Sequence, residues 1–314
     1  MILTVTPDAA LDRVSVVRGF AVGARLQALR TVVAPGGAGI RVSTVVHSLG
    51  GKTLACGFAG GHGGVLLRRA LDALSIRHDL VEVRSETGSH LALLDEAQGD
   101  VVEVAERSGA VGAADVAHLV DRVLGSLALA SHVVLAGGLP PGAPDDFFRR
   151  VAAAARAAGK PVLLDVRSEP LRLALDERPA LALVDWVDLE LLLGIGVDDE
   201  YALREAVPKL AHAREIPILL PLGADGALLA TAERTVRFET TGGRRPWNSI
   251  GLRETLLGAL AWRLGEGSDL VEATRFGCAA AVAKLRSDSP VRADLREIDD
   301  LLPSVHLHDS ASPR

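Results

Sequence analysis

The chain has 314 residues, 48% of them hydrophobic, which is enough to bury a sizeable core and excludes wholesale disorder. A formal net charge of −6 without any Lys/Arg-rich run argues against a nucleic-acid or anionic-membrane partner. Cys56 and Cys278 stand alone in apolar surroundings, no signal-peptide pattern opens the chain and no apolar run reaches membrane-spanning length, so a cytoplasmic soluble protein without disulfide or metal–cysteine chemistry is expected.

Met1 to Val5 reads as a buried strand closed by Pro7. Val14 to Val17 and Ala28 to Val33 are strand-like runs with no helical pattern between them, which suggests a hairpin outside the main alternation. From Gly39 the apolar spacing of Ile40, Val42, Val45, Val46 and Leu49 predicts a helix that Gly50 and Gly51 end. Lys52 to Gly57 is a strand, Gly64 to Leu74 a helix and His78 to Val83 a strand. A second hairpin joins His90 to Asp95 and Asp100 to Val104 around Gln98-Gly99. The two hairpin regions, at about 12–34 and 88–105, are assigned to one small β-sheet lid inserted into the larger domain.

Beyond it the alternation is regular. Helices at Asp115 to Leu129 and Pro144 to Ala158 alternate with strands at Ser131 to Leu135 and Pro161 to Asp165. Further short strands fall at Leu181 to Val184, Ile216 to Leu220 and Ala227 to Ala230, with helices at about 187–194 and 201–213. Helices at about 251–265, 269–285 and 294–302 fill the C-terminal third. The fold class is therefore α/β, a mostly parallel sheet with helices on both faces, in a single domain over 1–305; residues 306–314 are expected to form a disordered tail. In such sheets ligands sit at the carboxyl ends of the strands, which puts Asp12, Gly137-Gly138, Asp165 and Gly223 on one rim.

The stretch Asn248-Ser249-Ile250-Gly251-Leu252-Arg253-Glu254-Thr255 reads as a loop turning into a helix, because Leu256, Leu257, Leu260, Ala261 and Leu264 follow on one apolar stripe. Unpaired amides at a helix start suit a phosphate, and Glu254 in the first turn is a candidate general base beside it. Local pattern alone favours the plainer reading, in which Glu254 complements the helix dipole, because acidic first turns are common.

With Thr6-Pro7-Asp8-Ala9-Ala10-Leu11-Asp12, Gly36-Gly37-Ala38-Gly39-Ile40 and Leu222-Gly223-Ala224-Asp225-Gly226-Ala227, that stretch resembles the signatures of the PfkB sugar kinases of the ribokinase superfamily. It is most similar to the 1-phosphofructokinase and tagatose-6-phosphate kinase branch, in order over residues 1–302. The resemblance implies a ribokinase-like fold, ATP and Mg²⁺ as cofactors, and phosphoryl transfer to a hydroxyl of a sugar or sugar phosphate. Relatives carry Gly-Ala-Gly-Asp where this chain has Gly251, Leu252, Arg253 and Glu254, so the anion hole and base fall on Gly251, its neighbouring amides and Glu254, with Arg253 in place of a glycine. Arg253 must then distort the turn or put its side chain into the site, where it is able to supply a charge to the transferred phosphate. Leu222, Gly223, Asp225 and Gly226 take the nucleotide-binding loop, and Leu135 to Gly142 shapes the rim.

Substrate contacts implied by the resemblance are Asp12, Asp8, Gly36, Gly37, Arg41 and His90, of which Asp8 replaces an asparagine and Arg41 another. Ala38 stands for a lysine, and Gly88, His90 and Ala92 replace Arg, Asn and Lys, so a phosphorylated acceptor is less well supported than the resemblance suggests. The Gly-rich stretch also reads as a tight strand-to-helix turn, Asp8 as a turn cap and His90 as a half-buried lid residue. Asp185 and Asp188 match an Asn-x-x-Glu pattern that organises the Mg²⁺ shell through water, or else Asp185 is simply a helix N-cap. Small lids in this family often pair between subunits, which makes a homodimer through the lid compatible with the sequence. The altered positions Ala38, Gly88, Ala92, Arg253 and Glu254 also fit a catalytically silent protein that holds nucleotide or sugar, or one in which Arg253 fills the phosphate seat and nothing binds.

Overall fold

The protein is described by a computed structural model covering residues 1–194, 200–240, 249–287, 289–291 and 293–311. Strand β1 (Ile2–Thr6) leads into β2 (Ala10–Val17) and β3 (Arg30–Gly36), after which α1 (Ala38–Ser48) returns the chain to β4 (Thr53–Gly60), α2 (Gly61–Ala73) and β5 (His78–Val83). A second excursion, β6 (Gly88–Asp95) and β7 (Val101–Ala105), precedes α3 (Ala113–Ser126). Then come β8 (His132–Ala136), α4 (Phe147–Ala157), β9 (Val162–Asp165), α5 (Ser168–Leu175), β10 (Leu181–Leu183), α6 (Trp186–Leu193), α7 (Glu200–Arg214) and β11 (Ile218–Pro221). The chain closes with β12 (Gly226–Ala230), β13 (Arg234–Thr240), α8 (Leu252–Gly265), α9 (Leu270–Lys284), α10 (Leu295–Leu301) and β14 (Val305–Ala311).

One ten-stranded sheet runs β14-β13-β12-β11-β10-β9-β8-β1-β4-β5, parallel from β5 to β11 and antiparallel beyond. The period-2 geometry of a strand sends alternate side chains to opposite cores. Thus Val133 and Leu135 join the core under α3, α4, α5 and α7, while Val134 and Ala136 join the core under α1, α8 and α9. The second sheet, β3-β2-β6-β7, joins the two excursions by parallel pairing of β2 with β6. Its inner face packs Val14 and Ala92 against Ile250, so it sits over the approach to α8.

Three elements were not expected from the sequence. Helix α5 is only eight residues long, yet Leu171, Ala174 and Leu175 bury one face. In β13, Val236 and Phe238 point inward and alternate with Arg237 and Glu239, a half-buried pattern in a charge-rich segment. The expectation of a tail from residue 306 is corrected as far as residue 311: Val305–Ala311 pairs antiparallel with β13 over its whole length. Its His, Asp and Ser content is that of an edge strand facing water, which is why it reads as tail. Residues 312–314 lie outside the described residues. Among the described residues no helix is long and apolar enough to cross a membrane.

Removing residues 305–314 is expected to lower Tm by at least about 3 °C in calorimetry, the shift that roughly 1 kcal/mol produces in a large domain. An unchanged Tm would contradict the pairing of β14 with β13.

Candidate active site

The strand order reverses direction between β1 and β8: from β1 the chain builds outward to β4 and β5, then crosses back to β8 and builds the other way. Such a point leaves a crevice at the carboxyl ends of the strands. Here it is lined by Thr6 to Asp8 after β1, Gly137 and Gly138 after β8, and the turn into α1. Gly37, at φ 92°, is the N-cap of α1, and a Cβ there would lie 3.1 Å from the Asp8 carbonyl oxygen. A side chain on Gly36 would strike the Asp12 carboxylate. The Gly-rich turn is therefore required by close approach of α1 to β1 and the small sheet.

Asp12 on β2 and His90 on β6 are register partners on the inner face of the small sheet. Between them and α8 lies Arg41, only 8% exposed. Its Nε donates to Asp12 Oδ2 at 2.7 Å and its Nη2 to Asp12 Oδ1 at 2.8 Å, a bidentate fork. Its Nη1 donates to Glu254 Oε1 at 2.8 Å, and Nη2 also lies 3.2 Å from His90 Nδ1. Burial alone would push the Asp12 carboxyl upward, but His90 and Arg41 beside it hold it below the usual carboxylate range. Burial likewise disfavours charge on Arg41, yet Glu254 and Asp12 raise its pKa, so the guanidinium stays protonated.

Gly251 caps α8 in the left-handed region at φ 73°, and a Cβ there would strike the Pro290 carbonyl oxygen. The first intrahelical bond of α8 runs from the Thr255 amide to Gly251 O, so the amides of Arg253 and Glu254 precede it and have no acceptor within the helix. Arg253 does not distort the turn: among the described residues it is not one of the non-glycine positions with positive φ. Its side chain crosses the ends of β9 and β10, with Nε donating to Asp165 Oδ1 at 2.6 Å and Nη1 to the Val184 carbonyl at 3.2 Å. Nη2 of Arg253 is buried without a hydrogen-bond partner. Asn248, the first residue of the sequence stretch, lies outside the described residues.

At the end of β11, Leu222 to Gly226 forms a tight turn in which Gly223 has φ 64° and Gly226 φ 105°. Gly226 abuts the Phe238 carbonyl, and Ala224 accepts a hydrogen bond from the Thr240 hydroxyl. This loop shares the rim with the crevice, and Asp225 is exposed on it.

Asp185 and Asp188 do not suit a metal ion. Asp185 is the N-cap of α6, its Oδ1 accepting from the Asp188 amide at 3.0 Å. Asp188 is buried; its Oδ1 accepts from the Ser168 amide at 3.0 Å and its Oδ2 from Arg167 Nη1 at 3.2 Å. The same Arg167 Nη1 is ion-paired with Asp185 Oδ2. All four carboxylate oxygens thus have N–H partners and a guanidinium stands where a cation would sit. Among the described residues no cluster of metal-ligating side chains is found.

The structure therefore brings Asp12, Arg41, His90 and Glu254 into contact, sets Asp8, Gly36 and Gly37 around them, and sends Arg253 to Asp165. Arg167 and the Asp165–Arg253 pair were not anticipated: Asp165 ends β9 and Arg167 follows two residues later, and only the three-dimensional rim joins them to α8 and α6.

Comparison with known proteins bears on the family and the fold. The pfkB family carbohydrate kinase profile matches residues 4–294. The chain is 26% identical over 310 residues to the 1-phosphofructokinase of Borreliella burgdorferi, covering 98% of this chain and 99% of that one. It is 27% identical over 289 residues to the ATP-dependent 6-phosphofructokinase isozyme 2 of Mycobacterium tuberculosis, covering 90% and 84%. A solved Thermotoga maritima structure described as a possible 1-phosphofructokinase superposes with TM-score 0.91 at 24% identity, over 99% of each chain.

Asp12→Asn tests the buried pair. The depressed carboxyl contributes stability that is fully present above about pH 4, the unfolded carboxylate value, and is lost as pH falls through the folded value. In urea unfolding at pH 7 the variant should be less stable by up to about 3–5 kcal/mol, with the gap to wild type narrowing below about pH 4. A gap that does not change with pH would contradict an ionised Asp12 in the pair.

Proposed function

The chain belongs to the pfkB family of carbohydrate kinases, and on that premise we propose that it transfers the γ-phosphoryl group of ATP to a hydroxyl of a sugar or sugar phosphate. Such transfer needs in-line positioning, neutralised phosphate charge and a base at the acceptor hydroxyl. Glu254 is that base: its second carboxylate oxygen takes the hydroxyl proton as the new O–P bond forms, the bond from Pγ to the β-phosphate oxygen breaks, and ADP leaves. The amides of Arg253 and Glu254 behind Gly251 receive the transferred phosphoryl oxygens, and Arg253 Nη2 offers a further N–H donor from a guanidinium already paired with Asp165. Asp12, Asp8 and His90, with the close-packed Gly36 and Gly37, form the acceptor side; Leu222, Gly223, Asp225 and Gly226 hold the nucleotide.

The observation that carries this reading is the third position of α8: a carboxylate in the first turn of a helix entered through a left-handed glycine, beside amides with no acceptor within the helix. Magnesium enters as the counter-ion of the ATP phosphates, and no step runs through Asp185 or Asp188. The reducing compartment implied by two free, buried thiols, Cys56 and Cys278, fits the cytoplasm.

A homodimer through the small sheet is part of the proposal. Arg13, Val33, Leu91 and Val104 share one row on its outer face, where Val33 is 52% and Val104 53% exposed. An apolar sheet face of this kind favours burial by a second copy.

Glu254→Gln should lower acceptor-dependent ADP formation by on the order of 10²–10⁴-fold, the usual contribution of a general base, while ATP still raises Tm. Turnover within a few-fold of wild type would contradict Glu254 as base. A protein that binds ATP with no turnover under any acceptor would be the catalytically silent binding protein instead. Val104→Asp should shift the dimer to monomer in sedimentation velocity; an unchanged sedimentation coefficient would remove the lid from the interface.

A further inference from the structure

We infer that Arg41 is the positioning residue for Glu254, fixing the carboxylate from which the acceptor proton is taken; this deepens the kinase reading and rests on it. Arg41 is itself immobilised before it meets Glu254. Its guanidinium is nine-tenths buried, and Nε and Nη2 are both held by Asp12, a residue 1% exposed on a strand of the small sheet. The remaining nitrogen, Nη1, reaches Glu254 Oε1 at 2.8 Å. One carboxylate oxygen is therefore tied to a rigid cation, leaving Oε2 to face an acceptor.

The arrangement also explains the length of the acid. A glutamate has one more rotatable bond than an aspartate, and its carboxylate would wander unless something fixed it. Shortening it by a methylene withdraws the oxygens by about 1.5 Å, one carbon–carbon bond, and takes Oε1 out of hydrogen-bond reach of Arg41. Arg41 cannot follow, because Asp12 holds the other side of its planar fork. A lysine at position 41 keeps the charge opposite Asp12 and Glu254 but provides a single point donor in place of the fork. Arg41 touches neither the transferred phosphoryl group nor the acceptor hydroxyl in this account; it acts through Glu254.

The test is a double-mutant cycle on kcat and KM with Arg41→Lys, Glu254→Asp and the double variant, all three retaining charge at both positions so that folding is preserved and is checked by Tm. Arg41→Lys and Glu254→Asp are each expected to lower kcat by about 10–100-fold, the scale of an ångström misplacement, with KM for ATP within about threefold. The double variant should fall no more than about threefold below the worse single variant, because both changes break one and the same contact. Losses that multiply in the double variant, an Arg41→Lys enzyme with wild-type kcat, or a Glu254→Asp enzyme faster than wild type would each overturn the role of Arg41 while leaving the kinase reading intact. A wild type with no acceptor-dependent turnover would sink the kinase reading and the positioning role together.

Discussion

One buried guanidinium ties the candidate site to the rest of the fold. Arg41 stands near the start of α1, where a positive charge opposes the helix dipole by about 0.3–1 kcal/mol, and it is almost wholly removed from water. The burial is the condition that a free cation could not sustain. Two carboxylates from different elements, Asp12 on β2 and Glu254 on α8, offset both costs, so the small sheet, α1 and α8 are joined through one side chain. Removing one partner from such a set leaves a buried charge unpaired, a cost of about 3–5 kcal/mol that exceeds the dipole term several-fold. The apolar contact of Val14 and Ala92 with Ile250 reinforces the same closure, and the close approach of Gly36 to Asp12 leaves no room for a side chain there.

The same motif recurs around the rim. Arg253 is paired with Asp165 and Arg167 with Asp185 and Asp188, so three of the carboxylates at the carboxyl ends of the strands are met by arginines of the chain itself. For Asp185 and Asp188 this pairing is complete, and the pair serves α6 as cap and anchor, holding Ser168 at φ 57° through its amide. For Glu254 and Arg253 it is incomplete: one carboxylate oxygen and one guanidinium nitrogen remain unpartnered, and these are the two atoms proposed above as base and phosphate donor. The unpartnered atoms of these arginine-paired carboxylate sets thus gather at one place, the start of α8.

Most of this architecture was legible in the sequence because the core strands are continuous apolar runs and the helices end at glycines, as at Gly50 and Gly51 after α1. The last two strands were not: β14, at the edge, and β13, next to it, carry enough charged and polar residues to pass for tail and loop. At the site, position in sequence identified Asp12, Arg41, His90 and Glu254 as candidates, yet nothing in one dimension says that they touch. The role of Arg41 changed accordingly, from a cation offered to substrate to one consumed by two carboxylates. Asp185 and Asp188 illustrate the converse: acids three apart at a helix start suit a cap and a metal shell equally well until Arg167, from an unanticipated turn before α5, is seen between them.

The central claim is that this rim is a working phosphotransfer site, and ³¹P NMR of the protein with ATP, Mg²⁺ and a panel of free and phosphorylated sugars tests it most directly. A new phosphate-ester resonance that grows in step with ADP, and only with particular acceptors, is the predicted result. ATP that binds, raises Tm and stays intact beside every acceptor would contradict it.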